Sequence, residues 1–105
     1  MTGFSADLDA QDPGVLKLSG ELDIAVVDTF LHQAQAALAE ADRVLVIDAA
    51  DVSFIDSTGL GALVRLREHA HASGKDVALT HVPRQMSRIL ELTGLAGLFD
   101  DRPES

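Results

Sequence analysis

The chain has 105 residues, 47% of them hydrophobic, with four Phe and neither Trp nor Tyr, which suits one domain with a core of Leu, Val, Ile and Ala. It contains no cysteine, which excludes disulfides, thiol catalysis and thiolate metal sites and fits a cytoplasmic location. Seventeen acidic residues against eight basic ones leave a net charge of −9, which argues against nucleic acid as a partner, because phosphate binding needs a concentrated basic footprint.

No apolar run approaches the ~20 residues of a membrane-spanning helix, so membrane insertion is not expected. Met1-Thr2-Gly3-Phe4-Ser5 carries neither the basic nor the apolar region of an export signal. No linker, repeat or low-complexity tract divides the chain, so residues 1–105 are expected to form a single domain. Residues 100–105 are expected to be a frayed polar tail.

Phe4, Ala6 and Leu8 alternate with Ser5, Asp7 and Asp9, the pattern of a half-buried strand. Asp12-Pro13-Gly14 is a turn signal, and Val15 to Ser19 comes next as the second strand of a hairpin. Gly20-Glu21-Leu22-Asp23 is expected to leave the sheet, with Asp23 capping the first helix. From Ile24 to Ala41, Val27, Phe30, Leu31, Ala34, Leu38 and Ala41 recur at three- and four-residue steps, as in an amphipathic helix.

The run Val44-Leu45-Val46-Ile47 predicts a central strand covered on both faces, over about Arg43 to Asp48. Leu60, Leu63, Val64 and Leu66 give a second helix, Thr58 to Ala72, ending at Ser73-Gly74. Val77 to Thr80 is a further strand. Pro83 opens a third helix with Met86, Ile89 and Leu90 on its apolar face, and Gly94 ends it. Leu98-Phe99 is expected to be a last short strand. The order β-β-α-β-α-β-α-β describes an α/β domain with a mixed, mostly parallel sheet packed with amphipathic helices.

Little in the chain resembles an active centre. His69 and His71 stand two apart on a helix, so they point to different faces and cannot share a metal. His81 sits at a strand end with no evident partner, and all four histidines, His32 included, are expected at the surface. The strand-turn-helix nucleophile motif G-x-S-x-G fails at Ile55, and a phosphate-binding loop fails because no Lys lies between residues 18 and 74. Asp48, Asp51 and Asp56 form an acidic cluster near the end of the central strand. Turn and capping roles account for them without a cation. No metal, no cofactor and no catalytic residue is expected.

Ser57 stands out. Asp56, Ser57 and Thr58 can all cap the second helix, and one cap needs only one of them. Glycines 59 and 61 each cost helix stability, roughly 0.5–1 kcal/mol relative to Ala, and lacking side chains they would let a partner's backbone approach. A phosphate on Ser57 would gain from the helix dipole while adding nearly two negative charges beside Asp56.

Asp56-Ser57-Thr58-Gly59-Leu60-Gly61, preceded by Val52-Ser53-Phe54-Ile55, closely resembles the signature of STAS-domain proteins, the anti-sigma factor antagonists of bacteria. Leu18 to Asp23, Val44 to Asp48 and Arg88 to Leu95 resemble the family's loop before the first helix, its central strand and its third helix. The resemblance spans about residues 4 to 99.

It implies a non-enzymatic protein that binds an anti-sigma factor, itself a serine kinase, and so frees a sigma factor for transcription. By the same resemblance the kinase phosphorylates Ser57, the modified protein lets go, and a serine phosphatase restores it. Asp23, Asp56, Ser57, Thr58, Gly59, Leu60 and Gly61 would form the partner-binding surface. The alternatives are a STAS subunit scaffolding a membrane transporter or sensory complex, and a small hydrolase built on the acidic cluster. Family members usually continue into a fourth helix, for which the chain has no room before Ser105. Apolar surface near Leu95, Leu98 and Phe99 is therefore expected to be exposed, giving a monomer or weak dimer.

Overall fold

The computed structural model describes residues 3–101. Strands β1 (Ser5–Leu8) and β2 (Val15–Leu22) pair antiparallel from Ser5↔Ser19 to Leu8↔Leu16. The Asp12 carboxylate closes the turn between them by accepting the Gly14 N–H at 2.9 Å. β2 continues past Ser19, where the sequence pattern has the chain leaving the sheet. Gly20 absorbs the irregularity: its φ is +100°, a register shift occurs at Gly20/Glu21, and a Cβ there would run into the Gly3 carbonyl.

Helix α1 (Val27–Glu40) buries Val27, Phe30, Ala34, Ala37 and Leu38, and Phe30 meets Phe4 edge to face at 6.3 Å between ring centroids. α1 starts three residues later than its apolar pattern suggests. Asp23 is not its cap; its carboxylate accepts the Ala25 N–H at 3.0 Å, closing a turn that holds residues 23–26 out of the helix.

Central strand β3 (Val44–Ile55) runs seven residues beyond its expected end at Asp48. Then come α2 (Ser57–Ala72), β4 (Asp76–Thr80) and α3 (Arg84–Leu92). The strand expected at Leu98–Phe99 lies two residues later. Ala96–Leu98 is a 3₁₀ turn, and β5 (Asp100–Asp101) pairs with β4 through Ala78↔Asp100 and Leu79↔Asp101. Two residues of the expected tail thus belong to the sheet; the rest of it, residues 102–105, lies outside the described residues.

Among the described residues, five strands lie in the order β1-β2-β3-β4-β5, with only the β1/β2 pair antiparallel. Each parallel connection moves one place in the same direction, so right-handed crossovers put their helices on one face. This corrects the expectation of a doubly covered central strand. Leu45, Ile47 and Ala49 are fully buried, whereas Val44, Val46 and Asp48, alternating with them, are only half-buried. β4 is the strand buried throughout Val77–Thr80.

The C-terminal ends of α1 and α2 are secured by hydrogen bonds. Past α2, Gly74 takes φ +74°, with Lys75 N–H bonded to Ala70 O and Gly74 N–H to His71 O. The Lys75 ammonium reaches Leu38 O at 2.8 Å, satisfying a carbonyl at the end of α1.

Candidate functional site

β2 and β3 run parallel and end in register, with Leu22 opposite Ile55. Asp23 and Asp56 are therefore the residues at which the chain leaves two adjacent strands. Carboxyl ends of parallel strands are where α/β sheets gather functional groups. Asp56 is the N-cap of α2: its backbone is extended and its carboxylate accepts the Gly59 N–H at 2.9 Å, while its carbonyl accepts the Leu60 N–H at 2.9 Å.

With the cap made by Asp56, Ser57 is left at the first helical position. Its side chain is exposed and its hydroxyl makes no hydrogen bond to any described residue. Thr58 is half-buried. Asp23 and Asp56 bring two acids to the strand ends beside this hydroxyl, and the positive end of α2 lies beneath it.

The remaining motif residues divide by environment. Leu60 is 4% exposed and belongs to the core, so any part it plays at a surface is indirect. Gly59 is buried, and a Cβ on it would clash with the Leu22 carbonyl and stand 2.9 Å from Ile55 Cγ1. Its lack of a side chain therefore serves the packing of α2 on β2, not the approach of a partner. Gly61 is the opposite case: nothing lies within 4 Å of a Cβ placed there, so this position has room for another backbone.

Ile24 is not among the residues that sequence reasoning assigns to the site, yet it is 75% exposed in the turn after Asp23. Phe54 is 50% exposed just before the cap. The signal for Ile24 is an aliphatic residue between an Asx turn and the first helix, but its place in the helical pattern hides it.

The other candidates separate. Asp48 meets His81 at 3.3 Å between Oδ1 and Nδ1, supplying a partner for a histidine that has none evident in sequence. His81 has φ +54°, a left-handed conformation. Asp51 is exposed and Asp56 is occupied as a cap. Among the described residues no three His, Cys, Asp or Glu side chains converge on a point. His71 instead pairs with Asp76 at 3.0 Å. Burial works against the Asp76 carboxylate, but the Val77 N–H, the His71 ring and Arg67 outweigh it and hold its pKa below the ordinary 3.8.

The apolar end of the chain also differs from expectation. Phe99 is buried and Leu95 and Leu98 pack half-buried against the core, leaving Leu92, 80% exposed, as the bare residue of that region. No helix among the described residues is long and apolar enough to cross a membrane.

A family model described as Mlab, STAS domain matches residues 6–100. An anti-sigma-B factor antagonist of Bacillus subtilis (strain 168) is 31% identical over 85 residues, covering 81% of this chain and 77% of that protein. Among solved structures, an anti-sigma factor antagonist from Mycobacterium paratuberculosis superposes with a TM-score of 0.77 at 24% identity, over 99% of this chain and 87% of that one. The Bacillus cell fate determinant SpoIIAA in its phosphorylated form superposes with a TM-score of 0.67 at 20% identity, over 97% and 93%.

Proposed function

We propose that the chain, which belongs to the STAS domain family, is a cytoplasmic anti-sigma factor antagonist whose partner binding is switched off by phosphorylation of Ser57. The observation that carries this is the free, exposed Ser57 hydroxyl on a helix start already capped by Asp56. A serine kept only as a cap would be using its oxygen. The name of the Bacillus subtilis relative, an anti-sigma-B factor antagonist, supports the antagonist part of this reading.

In the unmodified state, Ser57, Thr58 and Gly61, with the carboxylates of Asp23 and Asp56 and the exposed Ile24, present a small polar surface with an apolar neighbour. The partner is an anti-sigma factor that is also a serine kinase. It transfers the γ-phosphoryl group of ATP to Ser57 Oγ; the hydroxyl loses its proton and ADP departs. The phosphate brings about −1.5 to −2 charges to a surface that holds two carboxylates. Its cost falls on the complex: like charge is concentrated where a partner must desolvate it, and three new oxygens need room. The helix dipole meanwhile favours the phosphate in the free protein. Hydrolysis by a serine phosphatase returns the hydroxyl and releases inorganic phosphate. Nothing in this scheme asks the chain itself to catalyse; it is a substrate and a ligand.

Titration calorimetry with the cognate anti-sigma factor tests this. Ser57→Ala is expected to bind as the wild type does, and Ser57→Asp at least about tenfold more weakly, as like charges at an interface require. Equal binding by all three proteins would refute the switch.

A further inference from the structure

β4 pairs with β3 only from Val44 to Asp48, whereas β2 accompanies β3 as far as Leu22↔Ile55. Beyond Asp48 the β4 side of β3 therefore has no strand partner among the described residues. α3 stands off that free edge, and a groove of about 470 Å³ runs between them. Its lining is largely aliphatic and aromatic: Phe54, Ile55, Met86 and Ile89. Arg84 and Arg88, four residues apart on α3, also line it.

Two features call for an occupant. Phe54 keeps half its surface in water although it lines a groove with apolar side chains, and covering the rest of the ring is favourable. Both arginines are exposed, and neither makes an ion pair or hydrogen bond with any described residue. In a chain with a net charge of −9, two unpaired guanidinium groups on one helix face select carboxylates.

We propose that this groove docks an extended segment of a partner protein that carries carboxylates beside aliphatic or aromatic side chains, added along the free edge of β3. The open edge supplies main-chain donors and acceptors, the exposed Phe54 and half-buried Ile89 receive apolar side chains over a floor formed by the buried Met86, and Arg84 and Arg88 receive the acids between them. Docking here does not depend on phosphorylation of Ser57, and the two can fail separately.

The test is selection of a displayed random-peptide library on the intact protein, then ¹⁵N–¹H chemical-shift mapping with the synthetic winners. Selected peptides are expected to combine Asp or Glu with Leu, Ile or Phe and to shift the amides of residues 53–55 and 84–89. The double variant Arg84→Glu/Arg88→Glu, which alters only exposed side chains and is checked by thermal melting, should weaken binding at least about tenfold. Phe54→Ala should weaken it independently. Basic or uncharged winners, shifts confined to other surfaces, or unchanged affinity in the double variant would overturn the proposal. Laurate producing the same shifts where no peptide does would overturn it in favour of small amphiphilic anions. Concentration-dependent dimerisation abolished by the double variant would overturn it in favour of a second copy of the chain.

Discussion

Gly59 and Gly61 look alike in sequence, and the structure predicts opposite consequences for replacing each with alanine. In Gly59→Ala the new methyl overlaps the Leu22 carbonyl oxygen and crowds Ile55 Cγ1 at 2.9 Å and Leu22 Cγ at 3.0 Å. The first of these atoms is backbone, at the end of β2, so relief requires α2 or the strand end to shift. Overpacking of this kind costs about 1–3 kcal/mol, and alanine's better helix propensity returns up to about 1 kcal/mol. With the full return subtracted, the net loss centres on about 1 kcal/mol, which lowers Tm by roughly 4–8 °C in a domain of this size. In Gly61→Ala nothing lies within 4 Å of the methyl, so only the propensity gain remains, about 0.5–1 kcal/mol. Thermal and urea unfolding, monitored by circular dichroism, measures both. A Gly59→Ala protein that melts at or above the wild-type temperature would refute the packing argument. Gly61→Ala carries a second readout: with the fold intact or improved, its methyl should weaken binding to the anti-sigma factor if a partner backbone approaches there.

Substitutions at three further positions probe the site and its surroundings. Asp56→Ala should destabilise the protein by about 1 kcal/mol through loss of the α2 cap, and Asp56→Asn should recover most of it; chemical denaturation reads both. Ser57→Ala should leave stability within about 0.5 kcal/mol of wild type, because its hydroxyl bonds to nothing described and the side chain is exposed. Asp76 has a folded pKa below its ordinary 3.8, so the unfolded chain takes up its proton first as pH falls. Its stabilising contribution is complete above that ordinary value and disappears as pH drops through the depressed one. The stability difference between wild type and Asp76→Asn should therefore close below about pH 4. Because the His71–Asp76 side chains are 43% and 45% exposed, that difference is under about 1 kcal/mol.

The helices are legible in the sequence because their apolar residues repeat at the helical period, and strands alternating with them imply the parallel order. The extents of β2 and β3 are not. Both strands continue through irregular register at Lys17/Ser19 and Gly20/Glu21, and bulges destroy the alternation by which a strand is recognised. The Val44–Ile47 run suggests double coverage because all four residues are apolar. Coverage depends on where the crossovers lie, and these put the helices on one face.

At the site, Asp56, Ser57 and Thr58 are visible as three candidate caps, but only the backbone geometry selects Asp56 and thereby frees Ser57. The contrast between Gly59 and Gly61 depends on a carbonyl 37 residues earlier in the chain, at Leu22. No local pattern reports a contact of that range. The same holds for Arg84 and Arg88, whose meaning comes from the free β3 edge beside them.

The most direct test of the switch is to incubate the protein with its cognate anti-sigma factor kinase and Mg-ATP, map the phosphate by peptide mass spectrometry, and measure rebinding of the purified product. A single phosphate on Ser57 is predicted, with native circular dichroism and affinity for the kinase at least about tenfold below that of the unmodified protein. A phosphate on Thr58 or elsewhere, or a Ser57-phosphorylated protein that binds undiminished, would contradict it.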